Sequence, residues 1–256
     1  DCRQSMNMQE ASRGFILSRA AKVRARAKVE AEEVDIEAAI CSRVRAAIAS
    51  GDLLPGMKLP EETFAESFST TRAHVRSAFQ RLAFEGLVDL LKNRGAFIAQ
   101  ATVKEARDIF EARRAIERVT TEIVTRTLLT HQLRSLRDRV NGQKNHWLRG
   151  NRQLSISGIS GFHLSLAALA HNTALTTALE RLIIRTSLIL GTYSTPRTFG
   201  GLAEFYDQLL DLIESGHSLA ASRQIECCLS AIERELDFYP PQRPEVDLSR
   251  LMRTIG

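Results

Sequence analysis

The strongest constraint in this chain is the punctuated helical pattern between residues 36 and 99. Apolar residues recur at helical spacing over 36–48, and the pattern stops at a Ser-Gly pair at 50–51. A turn rich in Pro and Gly occupies 53–60, and a short helix is predicted from about 61 to 68. The segment therefore begins as a helix, a turn and a second, shorter helix.

A further helix follows the polar run at 69–71 and ends at Gly86, a typical residue just beyond a helix C-terminus. Two short apolar strands at 88–91 and 96–99 flank the turn 92–95. The buried face of this helix is predicted from four apolar residues at i, i+3, i+4 and i+7: Val75, Ala78, Phe79 and Leu82. This order of elements predicts a winged helix-turn-helix, an arrangement that reads DNA.

The outward face of the predicted recognition helix carries Arg72, Arg76 and Gln80 at i, i+4 and i+8. Thr70 or Thr71 can cap its N-terminus. A helix N-terminus with hydroxyls and arginines presents N–H groups and forked cationic donors, which suit phosphates and guanine edges. We therefore expect this end of the helix to face DNA.

The turn between the two strands forms the predicted wing. Gly95 would allow its tip to approach a minor groove closely, with Lys92 and Arg94 beside it. His74 lies on the flank of the recognition helix and could add a backbone or base contact. Any one of these residues is best interpreted as part of a solvated surface, but their coincidence with the whole motif favours DNA binding.

Three segments at 51–61, 71–88 and 93–98 resemble the DNA-binding half of the GntR family of bacterial regulators. The turn at 69–74 reads Ser-Thr-Thr-Arg-Ala-His where the family usually has Gly-Val-Ser-Arg-Thr-Pro, so a different base preference is expected. The resemblance implies that the recognition helix and the wing glycine contact the operator. By position this role falls to Thr71, Arg72, Ala73, His74, Arg76 and Gly95.

Charge is distributed unevenly along the chain. Residues 35–100 carry eight Lys/Arg and eight Asp/Glu, so DNA affinity must depend on where the charges lie. The segment 13–28 carries six basic residues and no acidic one. Two interpretations stay open for this segment, an arm that neutralises DNA phosphates and a solvated leader. A membrane anchor is disfavoured because apolar residues there are few and scattered.

Composition favours a soluble, cytoplasmic protein that needs no cofactor. No apolar run reaches transmembrane length, and the N-terminus lacks the apolar core of a signal peptide. Four cysteines without zinc or redox spacing are expected to stay reduced: Cys2, Cys41, Cys227 and Cys228. Four parts of the chain are predicted: a basic extension (1–34), the winged helix-turn-helix (35–100), an all-helical effector and dimerisation domain (101–239) and a tail (240–256).

The chain after Thr102 is a series of amphipathic helices with few strand signals. The predicted fold class is therefore mainly α, with the small β-hairpin wing in the first domain and an antiparallel all-α bundle in the second. Such bundles can enclose ligand cavities lined by inward-facing side chains. The six helices are predicted near 103–127, 131–149, 153–171, 174–193, 201–215 and 218–237.

The helical half resembles the FCD effector domain of the FadR-like subfamily. The residues that carry this resemblance lie at 110–117, 162–163, 170–172 and 209–216. In many members, an aspartate four residues before the Phe-His histidine joins that histidine and two later ones to hold a divalent metal. Residues at i and i+4 stack on one helix face, which suits such a pair of ligands.

The metal-ligand set implied by the resemblance is largely missing from this chain. Ile159 stands where the aspartate is expected, four residues before His163. The two later positions fall on Tyr206 and Cys228. An imidazole, a phenol and a thiol make a poor site for a hard metal, so no metal is predicted. Metal-free relatives bind larger ligands such as acyl-coenzyme A in the same cavity.

Arg113 takes the position of the family's effector-facing arginine, where it could bind a carboxylate with two hydrogen bonds. The alternative is a structural ion pair with Glu117, four residues later on the same helix. Most relatives sense small organic acids, and a vestigial pocket also stays open. The predicted effector contacts are Arg113, His163, Asn172, Tyr206 and Cys228.

These observations predict a homodimeric, sequence-specific transcriptional regulator. Two recognition helices would read a near-palindromic, double-stranded operator, and a small-molecule effector would change the operator affinity. An enzyme that uses His163, Tyr206 and Cys228 is less well supported, because no base and orienting group can be paired from the sequence. An architectural DNA binder that uses the basic segment and the wing is the other alternative.

Overall fold

The computed structural model describes residues 36–149 and 151–239. The basic extension predicted at 1–34 and the tail predicted at 240–256 lie outside the described residues.

The first part of the chain folds as a winged helix-turn-helix. The sheet has the order β1–β3–β2, and both strand pairs are antiparallel. Lys58 and Leu59 pair with Phe97 and Ala96, so the wing gains a strand in a segment that was predicted as a turn. Its elements are α1 (36–49), β1 (Lys58–Leu59), α2 (Glu61–Ser67), α3 (Arg72–Phe84), β2 (Val88–Leu91) and β3 (Gly95–Ile98).

The recognition helix α3 packs with the face that the sequence predicts. Its four predicted inward residues are all buried, and Phe79 meets Phe64 of α2 edge to face at 5.1 Å between ring centroids. Gly86 ends the helix with a φ of +72°, which is the left-handed conformation expected of a glycine at this position. The buried face fixes which side of α3 remains open to a partner.

The second part of the chain is an antiparallel helical bundle. Helix α4 packs along α9, α6 lies between α5 and α7, and α8 contacts both α5 and α9. A short 3₁₀ helix at Pro196–Phe199, which was not predicted, connects α7 to α8. The helices are α4 (Val103–Thr127), α5 (Thr130–Leu148), α6 (Arg152–Leu169), α7 (Thr173–Tyr193), α8 (Leu202–Glu214) and α9 (Ser218–Arg234).

The predicted helix ends differ from the observed ends by at most three residues, and both ends of α4 coincide. Helix α6 ends at Leu169 rather than at 171, because His171 takes a positive φ and the backbone turns there. Helix α9 ends at Arg234 rather than at 237, because Leu236 leaves the helix to form an isolated bridge with Ser194. In α9 a tertiary contact thus forms where the local helical pattern still continues.

Helix α7 belongs to both halves of the molecule. Leu188 is fully buried in the core of the winged helix, among residues of α1, α3 and the sheet. The next two residues, Ile189 and Leu190, are fully buried in the core of the bundle. One helix therefore supplies side chains to two cores at the same level along its axis.

Polar contacts reinforce this docking of the two halves. The Arg185 guanidinium donates to the Gly86 carbonyl at the end of the recognition helix, and it also pairs with Glu105 of α4. The Tyr193 hydroxyl donates to the carbonyl of Ala101, in the segment that joins the two halves, at 2.6 Å. The connection is thus held along the C-terminal half of α7.

Gly191 lets α7 lie against the turn that precedes β1. A Cβ at this position would lie 2.8 Å from Cδ of Pro55, and the proline ring cannot rotate away. We expect Gly191→Ala to destabilise the docked arrangement by about 1–3 kcal/mol through overpacking. Thermal unfolding of the full chain measures this effect, at roughly 2–4 °C per kcal/mol for a chain of this size.

Gly142→Ala is the matched control, because Gly142 also lies inside a helix but a Cβ there meets nothing within 4 Å. Removing a glycine from a helix interior stabilises it by about 0.5–1 kcal/mol, so this variant should unfold at a higher temperature. Equal responses of the two variants would show that the contact with Pro55 does not constrain the docking.

Candidate functional site

The recognition helix presents its first turns to solvent. Thr71 is its N-cap, and the hydroxyl of Thr71 accepts the backbone N–H of His74 at 3.4 Å. Thr70 Oγ1 lies 2.7 Å from Nδ1 of His74, so Thr70 orients the imidazole ring. The sequence left open which threonine caps the helix, and the structure assigns this role to Thr71.

The predicted DNA contacts lie on two neighbouring features of this half. Helix α3 carries one group near its N-terminus, and the turn between β2 and β3 carries the other. Each of these predicted contacts is exposed except His74, which is half-buried. The group on α3 is Thr71, Arg72, Ala73, His74 and Arg76, and the group on the wing is Lys92, Arg94 and Gly95.

The wing turn is held by its backbone conformation and by one cation–π contact. Asn93 and Gly95 have φ values of +60° and +95°, which Asn and Gly tolerate better than other residues. The Arg94 guanidinium carbon lies 5.6 Å from the centroid of the Phe97 ring. The wing tip therefore has a defined shape with both basic side chains exposed.

Two carboxylates from α2 hold the arginines of the recognition helix. Arg76 Nε donates to Glu61 Oε2 at 2.7 Å, and the Arg72 guanidinium pairs with Glu62. Sequence reasoning did not identify these glutamates as part of the site. The two members of each pair are 15 and 10 residues apart and lie on different helices, so helical spacing gives no signal for them.

The bundle contains a buried polar cluster built from three helices. Arg113 and Glu117 lie one turn apart on α4, and Arg113 Nε donates to Glu117 Oε1 at 2.7 Å. The other carboxylate oxygen of Glu117 meets Nδ1 of His163 on α6. His163 Nε2 lies 3.0 Å from the hydroxyl of Tyr206 on α8, and the thiol of Cys228 on α9 is buried in the same core as Tyr206.

Each of these groups is at most 2% exposed, so their charge states follow from burial and from their neighbours. Burial alone would raise the pKa of Glu117, but the charge of Arg113 and the hydrogen bonds from His163 and Arg113 outweigh it and hold that pKa below its usual value. Burial lowers the pKa of His163, against the opposing effect of Glu117. The cluster therefore holds one buried ion pair, Arg113 with Glu117, beside a neutral imidazole.

The tautomer of His163 follows from its partners. An ionised carboxylate can only accept, so Nδ1 carries the proton toward Glu117 and Nε2 accepts from Tyr206. Burial raises the pKa of Tyr206 well above 10 and that of Cys228 to about 12, so both keep their protons. Protonated phenol and thiol groups are weak metal ligands.

The structure brings three of the five predicted effector contacts, Arg113, His163 and Tyr206, into one hydrogen-bonded cluster with Glu117, and it buries a fourth, Cys228, in the same core. Asn172 is placed differently, at the N-cap of α7, where its side chain accepts the N–H of Leu175 at 3.1 Å. Ile159 is buried in the bundle core, one turn before His163. Within residues 36–149 and 151–239, no group of three or more His, Cys, Asp or Glu is arranged to hold a metal ion.

Arg113 makes the structural ion pair that the sequence offered as one alternative, and part of its guanidinium remains without a partner in the described structure. Its Nε makes the structural bond to Glu117, while its Nη2 is buried and has no hydrogen-bond partner in the described structure. The indole Nε1 of Trp147 is likewise buried without a partner, and its ring lies 5.2 Å from that of Tyr206. Unpaired buried donors are costly, and an acceptor brought by a ligand would satisfy them.

Comparison with known proteins identifies both halves of the chain. A model of the bacterial regulatory proteins of the gntR family matches residues 37–98, and a model of the FCD domain matches residues 108–231. The chain belongs to the GntR family and carries an FCD effector domain. It is therefore a DNA-binding transcriptional regulator with a ligand-binding helical half, as the sequence predicted. No helix among the described residues is long and apolar enough to cross a membrane.

One curated relative of this GntR regulator is the "Probable D-xylose utilization operon transcriptional repressor" of Paenarthrobacter nicotinovorans. It is 26% identical over 169 residues, which are 66% of this chain and 74% of the relative. A GntR regulator from Rhodococcus sp. RHA1 superposes with a TM-score of 0.68 at 20% identity, over 77% of this chain and 95% of that one. The E. coli protein McbR/YncC superposes with a TM-score of 0.66 at 16% identity, over 86% of this chain and 99% of that one. At these identities, the two structures support the fold alone.

The buried cluster should make the regulator sensitive to acid. The pKa values of Glu117 and His163 are both lowered by folding, so the unfolded chain binds more protons in acid and the folded state loses stability as pH falls. The contribution of His163 to the free energy of unfolding should be lost as the pH falls from about 6.5 through the lowered pKa of this residue in the folded state. The contribution of Glu117 to the free energy of unfolding should be lost at lower pH, below about 4.3.

We expect His163→Asn to flatten the dependence of unfolding free energy on pH between about 6.5 and 5. Urea unfolding at a series of pH values measures this slope. His131→Asn serves as the control, because His131 lies exposed on α5. An unchanged slope in His163→Asn would mean that this imidazole does not stay neutral on folding.

Proposed function

We propose that this GntR regulator acts in the cytoplasm as a homodimer that binds a near-palindromic operator. In this proposal α3 and the wing of each protomer read one half-site, and a small organic acid bound at Arg113 changes the operator affinity. The observation that carries the effector part is the buried Nη2 of Arg113, a cationic donor without a partner in the described structure.

Direct readout is proposed for the N-terminal turns of α3. Its N–H groups and dipole favour phosphate, and Arg72 and Arg76 can donate two hydrogen bonds each to a guanine edge. The threonines and His74 would position the helix on the backbone, since hydroxyl and imidazole groups commonly contact phosphates. Lys92, Arg94 and Gly95 would bring the wing to the adjacent minor groove.

Carboxylate recognition is proposed for the buried cluster. Arg113 already holds one internal carboxylate through Nε, so an effector carboxylate would bind at its remaining edge. The neutral groups of His163 and Tyr206 would add polar contacts next to it. The Ile159 side chain leaves no acidic ligand for a metal, which supports binding of the acid by the arginine itself.

Binding at this site requires the helices to move, because each residue of the cluster is at most 2% exposed. Helix α6 carries His163 and contacts α7 through the hydroxyl pair Ser160–Ser187 at 3.0 Å. Helix α7 in turn enters the core of the winged helix through Leu188. We infer that the effector favours one of two arrangements of α7, and hence one spacing of the recognition helices.

We expect Arg72→Ala to weaken operator binding by about 1–3 kcal/mol and to relax the base preference at one position. The operator is first selected from a random DNA pool with the wild-type protein, and binding is then followed by fluorescence anisotropy. Arg81→Ala is the control, since Arg81 lies at the far end of the same helix. Undiminished discrimination between operator and scrambled DNA in Arg72→Ala would contradict direct readout by this residue.

The effector site is tested by a thermal-shift screen of organic acids, acyl-coenzyme A esters and divalent metals, with and without chelator. We expect an organic acid to raise the Tm whether or not chelator is present, and Arg113→Lys to lose this shift because lysine cannot provide the second donor edge. Arg114→Lys is the control, because Arg114 is paired with Glu233 outside the cluster. A shift from metal alone that chelator abolishes would contradict the proposal.

A further inference from the structure

The arginines proposed to read DNA are already engaged by carboxylates of the same chain. Glu61 and Glu62 occupy the first turn of α2, and both side chains reach across to α3. Acidic residues in a first turn usually serve the dipole of their own helix. Here the pairs join two helices instead, so each glutamate lies beside an arginine that is proposed to contact DNA.

We propose that Glu61 and Glu62 determine specificity by competing with DNA phosphate for Arg76 and Arg72. In the free protein each carboxylate occupies one arginine, and DNA engages that arginine only by displacing the carboxylate. This inference rests on the proposed contact of both arginines with DNA.

The exposure of the two pairs argues against a mainly structural role. The Arg72 and Glu62 side chains are 54% and 66% exposed, and those of Arg76 and Glu61 are 62% and 27% exposed. Ion pairs at this exposure add little to folding stability, because water screens them and two long side chains lose freedom. The pairs can therefore open at small cost when a better acceptor arrives.

The position of α2 gives the carboxylates their effect on DNA binding. In a helix-turn-helix the first helix crosses the phosphate backbone while the second lies in the groove. A carboxylate at the start of α2 repels phosphate, and this repulsion is the same for every DNA sequence. A guanine edge that takes both donors of an arginine can offset the repulsion, whereas a lone phosphate offsets less of it.

The charge balance of the domain agrees with this role. Eight basic and eight acidic residues between 35 and 100 leave no excess of positive charge to attract DNA of arbitrary sequence. Sequence-independent affinity depends on the number of phosphates that Lys and Arg neutralise. Holding Arg72 and Arg76 in ion pairs lowers that number until the correct bases are present.

The test compares Glu61→Gln and Glu62→Gln with Glu66→Gln on a random-sequence duplex and on the selected operator, from 50 to 200 mM salt. Glu66 is the matched control, because it lies exposed on the same helix and has no ion pair within the described part of the chain. All three changes remove one negative charge and keep the side-chain volume. Circular dichroism and Tm establish that each variant is folded.

We expect Glu61→Gln and Glu62→Gln to bind the random duplex roughly 3–10-fold more tightly than Glu66→Gln does. The slope of log K against log salt should steepen by about 0.9 for each arginine that gains a phosphate. Operator affinity should rise less, so the ratio of operator to random binding falls. Equal behaviour of the three variants, or an unchanged ratio, would overturn the proposal.

A double-mutant cycle separates this inference from the proposed function. The effect of Glu62→Gln should disappear in an Arg72→Ala background, because the arginine that it releases is then absent. If Arg72→Ala alone leaves DNA binding unchanged, the proposed contact itself fails. If Arg72→Ala weakens binding and Glu62→Gln still acts in its background, the contact stands and the competition by Glu62 is wrong.

Discussion

The rest of this structure depends on the packing of α7 into two cores. Leu188 completes the core of the winged helix, while Ile189 and Leu190 complete the core of the bundle. Because side chains in a packed interior interdigitate closely, α7 cannot shift against one core without disturbing the other. Arg185 adds a polar link from α7 to the end of the recognition helix at Gly86. We therefore propose this shared helix as the physical route by which a change in the bundle reaches the DNA-reading face.

The buried cluster is the place in the bundle where such a change can begin. Its charges cancel in the free protein, since Arg113 is paired with Glu117 and His163 is neutral. A buried pair of this kind contributes little net stability, but removing either partner leaves an uncompensated charge in the interior. An incoming anion would alter that balance next to α6 and α7. The cluster is thus better suited to sensing a charged ligand than to holding the fold together.

The sequence predicted the helices and the buried face of α3, because both follow from local apolar periodicity. It missed β1, since two residues show no strand pattern until they pair with β3. It placed Asn172 among the effector contacts, and in the structure this side chain caps α7 through a local hydrogen bond. Neither Glu61 nor Glu62 was anticipated, because their partners lie on another helix. Contacts between different helices can be predicted only once the fold is known, and apolar periodicity alone does not give the fold.

Reciprocal linkage between effector and operator tests the central claim most directly. The operator Kd of the wild-type protein is measured with and without a saturating organic acid, and the Kd of that acid is measured with and without saturating operator. If both ligands bias one arrangement of α7, the two constants change by the same factor, within about 5–150-fold. An acid that binds and requires Arg113, yet leaves the operator Kd unchanged, would contradict the account.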